Sequence, residues 1–151
     1  MTRYTAVLAL ALALLPAAQA FALSTAIDVR KTNGCGCCLA WMEHLEENGF
    51  APVGQDMNGG LLIQFKIDNG VPLDKMSCHT ATIEGYVIEG HVPAADIRRL
   101  LEERPDAVGL TVPDMPLGSP GMDQGARADA YDVFLIRSDG STDIYASYEG
   151  N

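Results

Sequence analysis

The chain has 151 residues, of which 48% are hydrophobic and 20% charged, which fits one folded domain and excludes a disordered or coiled-coil chain. Ten basic residues against twenty acidic ones give a formal net charge of −10 at pH 7. Because a nucleic-acid phosphate backbone needs a basic face, this balance argues against nucleic acid as a partner.

The first 22 residues have the layout of a cleavable export signal. Arg3 precedes an apolar run over 6–15, Pro16 ends the run, and small residues follow it. That run is about half of the ~20 residues that a membrane-spanning helix needs. The sequence therefore predicts a signal peptide over 1–22 and one mature domain over 23–151, with no membrane contact after cleavage. In a two-membrane bacterium the mature protein would enter the periplasm, which is oxidising.

The N-terminal half of the mature chain predicts a strand, a helix and a second strand. Alternating apolar residues over 26–32 indicate the first strand. A helix is expected over 37–48, with apolar residues at core spacing and Gly49 as its stop. The segment 50–57 is a second candidate strand. Periodicity leaves 61–67 open as either a strand or a short helix.

The middle of the chain predicts further strand structure and a second helix. Residues 78–86 and 86–89 have strand character, with a bend expected at Gly85. Pro93 suits the first position of a helix, because proline lacks the N–H that this position leaves unbonded anyway. The apolar face expected for this helix comprises Ile97, Leu100 and Leu101.

The last third predicts a loop followed by a hairpin. Proline and glycine occur throughout 105–125, which indicates loop structure. The apolar run 131–137 is separated by Asp139-Gly140 from another strand ending at Tyr148, and this dipeptide is a strong hairpin signal. The order of elements gives an α/β or α+β class with a C-terminal β-hairpin.

Three of the four cysteines lie within four residues at the start of the first predicted helix. Cys35 and Cys38 form a C-x-x-C pair directly after a strand, which is the setting of a thioredoxin-like motif. The helix N-terminus stabilises a thiolate and should lower the pKa of Cys35. One hypothesis is therefore a thiol–disulfide oxidoreductase using this pair, although Cys37 beside it would invite disulfide scrambling.

A metal site using all four thiols, Cys35, Cys37, Cys38 and Cys78, is the second hypothesis. Thiolates are soft ligands that suit Cu(I), zinc or iron–sulfur clusters. The adjacent Cys37 and Cys38 should point about 100° apart on a helix, which disfavours one zinc tetrahedron. Several Cu(I) ions bridged by thiolates avoid this difficulty, so more than one Cu(I) is predicted and zinc is the runner-up. A third hypothesis, two structural disulfides, would close mostly tiny loops and stabilise little.

Further candidate ligands follow Cys78. Strand alternation would aim Cys78 and Thr80 at the helix N-terminus and turn His79 away. His91 could be a ligand or a helix-entry residue. Two methionines lie in the long Pro/Gly loop, where packing does not readily explain them: Met115 and Met122.

Several motifs occur in an order that resembles a known family. They are Cys-Gly-Cys-Cys-x-x-Trp at 35–41, Ser-Cys-His-Thr-Ala at 77–81, the segment 85–94 and Gly-Ser-Pro-Gly-Met at 118–122. Over about 26–137 the chain resembles the CopG-type periplasmic copper-resistance proteins, which contain the domain of unknown function 411. The resemblance implies a thioredoxin-like fold, export to the periplasm and copper handling.

The resemblance also implies roles for particular residues. It makes Cys35, Cys37, Cys38 and Cys78 the copper thiols, while Met122 matches the family's loop methionine and His79 and His91 match its histidines. Asp114 departs from the family, where a glycine is usual before Met115. The expected function is binding, sequestration or transfer of Cu(I) in copper resistance, with copper ions and other periplasmic copper-handling proteins as partners. An oxidoreductase using Cys35 and Cys38 is the alternative.

Overall fold

The computed structural model describes residues 25–123, 125 and 127–151. The predicted signal peptide lies outside these residues. Seven strands and three α-helices are present in the described part, together with a short 3-10 turn at Leu73–Lys75. In chain order they are β1 (Thr25–Thr32), α1 (Gly36–Glu47), β2 (Phe50–Met57), α2 (Gly59–Asp68), β3 (His79–Ile83), β4 (Tyr86–Gly90), α3 (Ala94–Glu103), β5 (Gly109–Val112), β6 (Tyr131–Ile136) and β7 (Thr142–Tyr148).

The strands form one mixed sheet in the order β2-β1-β3-β4-β5-β6-β7. β1 pairs with β2 and β4 pairs with β5 in parallel, whereas the other neighbours are antiparallel. The predicted C-terminal hairpin is confirmed as β6–β7. The prediction of a thioredoxin-like α/β fold with a mixed sheet flanked by helices is also confirmed.

Helices cover both faces of the sheet. Trp41 of α1 and Ile97 of α3 are fully buried in one hydrophobic core with the inward side chains of β1, β3 and β4. On the opposite face, α2 brings Phe65 against the guanidinium of Arg30 in β1. None of the helices in the described ranges is long and apolar enough to cross a membrane.

The segment that periodicity left open is helical. The side chain of Asn58 accepts a hydrogen bond from the Gly60 N–H at 2.9 Å and caps α2. Leu62 and Lys66 are buried one turn apart, which is the spacing of a helix face. Three apolar residues of α2 remain exposed, and they obscured the helical period in the sequence: Leu61, Ile63 and Ile67.

The strand expected from 78 onwards is a hairpin that starts one residue later. Glu84 and Gly85 have φ values of 46° and 90° and form a two-residue turn between β3 and β4. Gly85 therefore reverses the chain, and the prediction of one strand bent there was wrong. Cys78 lies in a bend before β3, outside the sheet ladder.

Two other boundaries differ from the prediction. The stretch expected to be loop contains β5, whose four residues are all buried between β4 and β6. Pro105 and Pro113 flank it closely, so the run was too short for a strand signal. Pro93 precedes the first helical residue of α3 and occupies the cap position.

Candidate metal centre

Four cysteine sulfurs converge at the N-terminus of α1. Cys35 occupies the cap position, Cys37 and Cys38 lie in the first turn, and Cys78 approaches from the bend before β3. The Sγ atom of Cys78 is 3.8 Å from that of Cys37 and 3.6 Å from that of Cys38. All four Sγ atoms lie within 4.8 Å of one another.

A disulfide joins Cys35 and Cys38, while Cys37 and Cys78 are free. The bonded pair is the C-x-x-C pair of the redox hypothesis. Two free thiols stand next to it, since Cys37 Sγ is 3.5 Å from Cys35 Sγ. The disulfide closes a loop with a sequence separation of 3. It therefore constrains little of the unfolded chain.

The side chains of Cys37 and Cys38 were expected to point in different directions from α1, yet both of their sulfurs lie close to the sulfur of Cys78. Both sulfurs reach Cys78, because it faces the first turn of α1 from the side. A tetrahedral ion with bonds of about 2.3 Å holds its sulfurs about 3.8 Å apart, close to the separations found here. The separations from Cys78 fit either a zinc ion or Cu(I), so the preference for Cu(I) stays a prediction from donor chemistry.

Two histidines extend the cluster on the other side of Cys78. The Cys78 Sγ atom lies 3.2 Å from His79 Nδ1 and 3.1 Å from His91 Nε2. These three residues form a second group able to hold a metal ion. The prediction that His79 turns away was wrong, because Cys78 is not on the strand. Thr80 is the side chain that points to the opposite face of the sheet, towards α2.

Burial keeps both imidazoles in the neutral form that binds metals. It lowers the pKa of His79 well below its usual value, and the neighbouring His91 ring and the Lys66 ammonium lower it further. Burial also lowers the pKa of His91. Because the Pro120 carbonyl 2.8 Å away can only accept, His91 Nδ1 carries the proton and leaves the Nε2 lone pair facing Cys78.

The Cys78 thiol is itself held protonated in the absence of metal. Burial raises its pKa to about 12, and the neighbouring Cys37 thiol contributes to the rise. A metal ion would have to displace that proton, as thiolate ligands generally require.

The Pro/Gly loop packs on the first turn of α1. A Cβ atom on Gly121 would lie 2.7 Å from the Cys37 carbonyl oxygen and 2.6 Å from the Trp41 nitrogen. The following residue is the half-buried Met122, whose backbone therefore adjoins the contact between this loop and α1. His44 lies outside the cluster, where its Nε2 atom accepts from the Ala94 N–H and joins α1 to α3.

A buried ion pair beneath Cys78 was missed by the sequence analysis. The Lys66 ammonium donates to Glu89 at 2.5 Å and to the Thr80 hydroxyl at 2.8 Å. Glu89 also accepts from the backbone N–H of Ser77 at 2.6 Å, which fixes the residue before Cys78. A lysine and a glutamate inside otherwise apolar segments were the available signal, because such charges are buried only when paired.

Comparison with known proteins identifies the family. The model of the family described as "Protein of unknown function, DUF411" matches residues 75–122, which include Cys78, both buried histidines and the loop methionines. A solved structure titled "Copper resistance protein copG- Form 1" is 46% identical, with a TM-score of 0.78, over 84% of this chain and 99% of that one. The chain belongs to the CopG family of copper resistance proteins.

The second solved CopG structure gives the same result. "Copper resistance protein copG- Form 2" is 46% identical and has a TM-score of 0.76, over 83% of this chain and 98% of that chain. No curated protein matches. The family predicted from the motifs is thus confirmed, and the CopG match extends over nearly the whole described domain.

Proposed function

We propose that this CopG-family protein binds Cu(I) through its cysteine cluster and sequesters or transfers it in copper resistance. The observation that carries the proposal is the convergence of four cysteine sulfurs within 4.8 Å of one another. Soft thiolates favour Cu(I), and both solved relatives are named copper resistance proteins.

Cys78 is the residue expected to bridge copper ions. It belongs both to the four-cysteine group and to the group with His79 and His91. One thiolate shared by two donor groups suits more than one Cu(I), since each low-coordinate ion can use the same sulfur. The proposed ligands are Cys35, Cys37, Cys38 and Cys78, supplemented by His79 and His91 and by Met122 from the loop.

Copper loading is expected to require reduction of the disulfide. The bonded sulfurs of Cys35 and Cys38 are not thiolates, and thiolates are the ligands that bind soft metals. Opening the bond takes two electrons from two external thiols, which become joined in a disulfide, and it yields two cysteine thiols that lose their protons when they bind metal. Copper occupancy and the oxidation state of the pair are therefore linked. The same disulfide supports the second candidate function, thiol–disulfide exchange at Cys35 and Cys38.

The compartment and partners belong to the same proposal. Export through residues 1–22 would place the protein in the periplasm, where it would exchange copper with other copper-handling proteins. A net charge of −10 attracts cations and favours solubility.

A competition titration tests this function. The fully reduced protein is titrated with Cu(I) against a chromogenic chelator, and separately with zinc. We expect more than one Cu(I) per chain, and we expect Cu(I) to displace zinc. A single tightly bound zinc ion with only weak copper binding would contradict the proposal. Catalytic reduction of insulin by the metal-free protein would favour the oxidoreductase instead.

Replacing Gly121 by alanine tests the contribution of the Met122 loop. The added Cβ would collide with the backbone of α1, and the φ of +82° adds strain, so the loop should move away from Cys37. We expect copper affinity to fall about tenfold while all four thiols remain titratable. Gly140→Ala is the matched control, because it has a φ of +83° and nothing within 4 Å. Equal copper affinity in both variants would exclude the loop from the site.

A further inference from the structure

A cavity of about 220 Å³ opens beside Cys78. The thiol of Cys78 and the thioether side chains of Met76 and Met115 line it. The remaining lining residues are Ser77 and Asp114. The cavity therefore presents three sulfur-bearing residues, one of which belongs to the cluster described above.

Backbone contacts hold the two methionine segments together. The Asp114 N–H donates to the Met76 carbonyl at 3.3 Å, and the Ser77 hydroxyl donates to the Asp114 carbonyl. Ser77 and Asp114 also form an isolated parallel bridge. Asp114 adopts a left-handed φ of 59°, a conformation that aspartate tolerates better than most residues.

Neither methionine is used as core filling. Met115 is 49% exposed and Met76 is only half-buried, and neither belongs to the hydrophobic core. An exposed methionine gains little stabilisation from burying its apolar side chain, so packing alone does not account for two methionines around one cavity.

We propose that Met76 and Met115 form an entry site that receives Cu(I) from solution and passes it to Cys78. This inference rests on the proposed copper function. Thioethers are soft, neutral donors, and they cannot be trapped in a disulfide as thiols can. They can hold Cu(I) whether Cys35 and Cys38 are bonded or reduced.

The transfer is a ligand exchange without a change in oxidation state. Bonds from copper to the two thioethers break as a bond to the Cys78 sulfur forms, and the thiol proton leaves to water. The ion remains Cu(I) throughout. Because a thiolate binds Cu(I) more strongly than a neutral thioether, the exchange runs towards the cluster.

The kinetic test compares the double variant Met76→Leu/Met115→Leu with Met57→Leu. Met57 ends β2 and lies outside the cavity, and leucine preserves apolar volume in every case. Reduced proteins are mixed with a coloured Cu(I)–chelator complex in a stopped-flow instrument. We expect uptake by the double variant to slow about tenfold, with the final copper count unchanged. Met57→Leu should match the wild type.

Each other outcome has a distinct meaning. If the wild type takes up no Cu(I), the proposed function fails. If the wild type and the double variant load at the same rate, only the entry site fails. If the double variant loses bound copper at equilibrium, the methionines are permanent ligands and the entry role is overturned.

A spectroscopic measurement checks the same point without kinetics. The variant Cys37→Ser/Cys78→Ser, which has no free thiol to draw copper away and keeps its Cys35–Cys38 disulfide, is labelled at the methionine methyl groups and titrated with substoichiometric Cu(I), which is diamagnetic. The methyl signals of Met76 and Met115 should shift first, and that of Met57 should stay in place. Unchanged signals for Met76 and Met115 would overturn the inference.

Discussion

Replacing Cys78 by serine is expected to remove more than one copper ion per chain and to leave the metal-free fold intact. Cys78 contacts two cysteine sulfurs and two histidine nitrogens within 3.8 Å. Serine is a hard, uncharged oxygen donor and cannot bridge Cu(I) ions. Because Cys78 is only half-buried and serine is close in volume, the free energy of unfolding of the apo-protein should change by about 1 kcal/mol or less.

Cys37→Ser is the matched control for that change. Cys37 is also free and half-buried, and its sulfur approaches those of Cys35 and Cys78, but it belongs to the four-cysteine group and not to the group with the histidines. Its removal should lower the copper count by less than the removal of Cys78. Copper per chain is measured on the anaerobically loaded variants, and stability is measured on the apo-proteins. Full loading of Cys78→Ser would show that Cys78 does not bridge the two groups.

Separating Lys66 from Glu89 is expected to give the largest loss of stability. Lys66 is 3% exposed and Glu89 is fully buried, and each provides the other's counter-charge. Removing one partner leaves an unpaired buried charge, which costs about 3–5 kcal/mol. Lys66→Met and Glu89→Gln should each lower the free energy of unfolding by about this amount, measured by chemical denaturation of the apo-protein.

The double variant Lys66→Met/Glu89→Gln shows whether the stability loss comes from an unpaired buried charge or from the altered shape of the side chains. It has no buried charge, and glutamine can still accept from the Ser77 N–H, so it should recover most of the stability lost in either single variant. Asp143→Asn is the control, because it breaks the exposed pair with Arg137 and should cost about 1 kcal/mol or less. Equal losses in Glu89→Gln and Asp143→Asn would contradict the importance of the buried pair.

The sequence predicted most of the fold because its periodic segments also provide the core. Ile27 and Val29 alternate along β1, and Trp41 and Leu45 repeat at helical spacing on α1, and all four are fully buried. The prediction failed where apolar side chains are exposed to solvent and where an element is too short to show a pattern. The exposed Leu61 and Ile63 masked α2, and β5 was too short to show any period.

The sequence predicted which cysteines form the candidate site, but it did not predict the orientation of His79 or the buried Lys66–Glu89 pair. The C-x-C-C segment and its helix placed three thiols together by local structure alone. The side chain of His79 was misplaced because strand alternation was extended to Cys78, which lies one residue outside β3. The Lys66–Glu89 contact joins residues 23 positions apart on two different elements, and only the folded topology reveals it.

The most direct test of the copper proposal combines metal analysis with thiol counting. The protein is produced in a bacterial periplasm supplied with copper and purified without oxygen, and bound metals and free thiols are quantified before and after extraction of the metal. The account predicts more than one copper ion per chain, little zinc, and four thiols per chain once copper is removed. A metal-free protein with two free thiols and a persistent Cys35–Cys38 disulfide, or a protein with a single zinc ion, would contradict it.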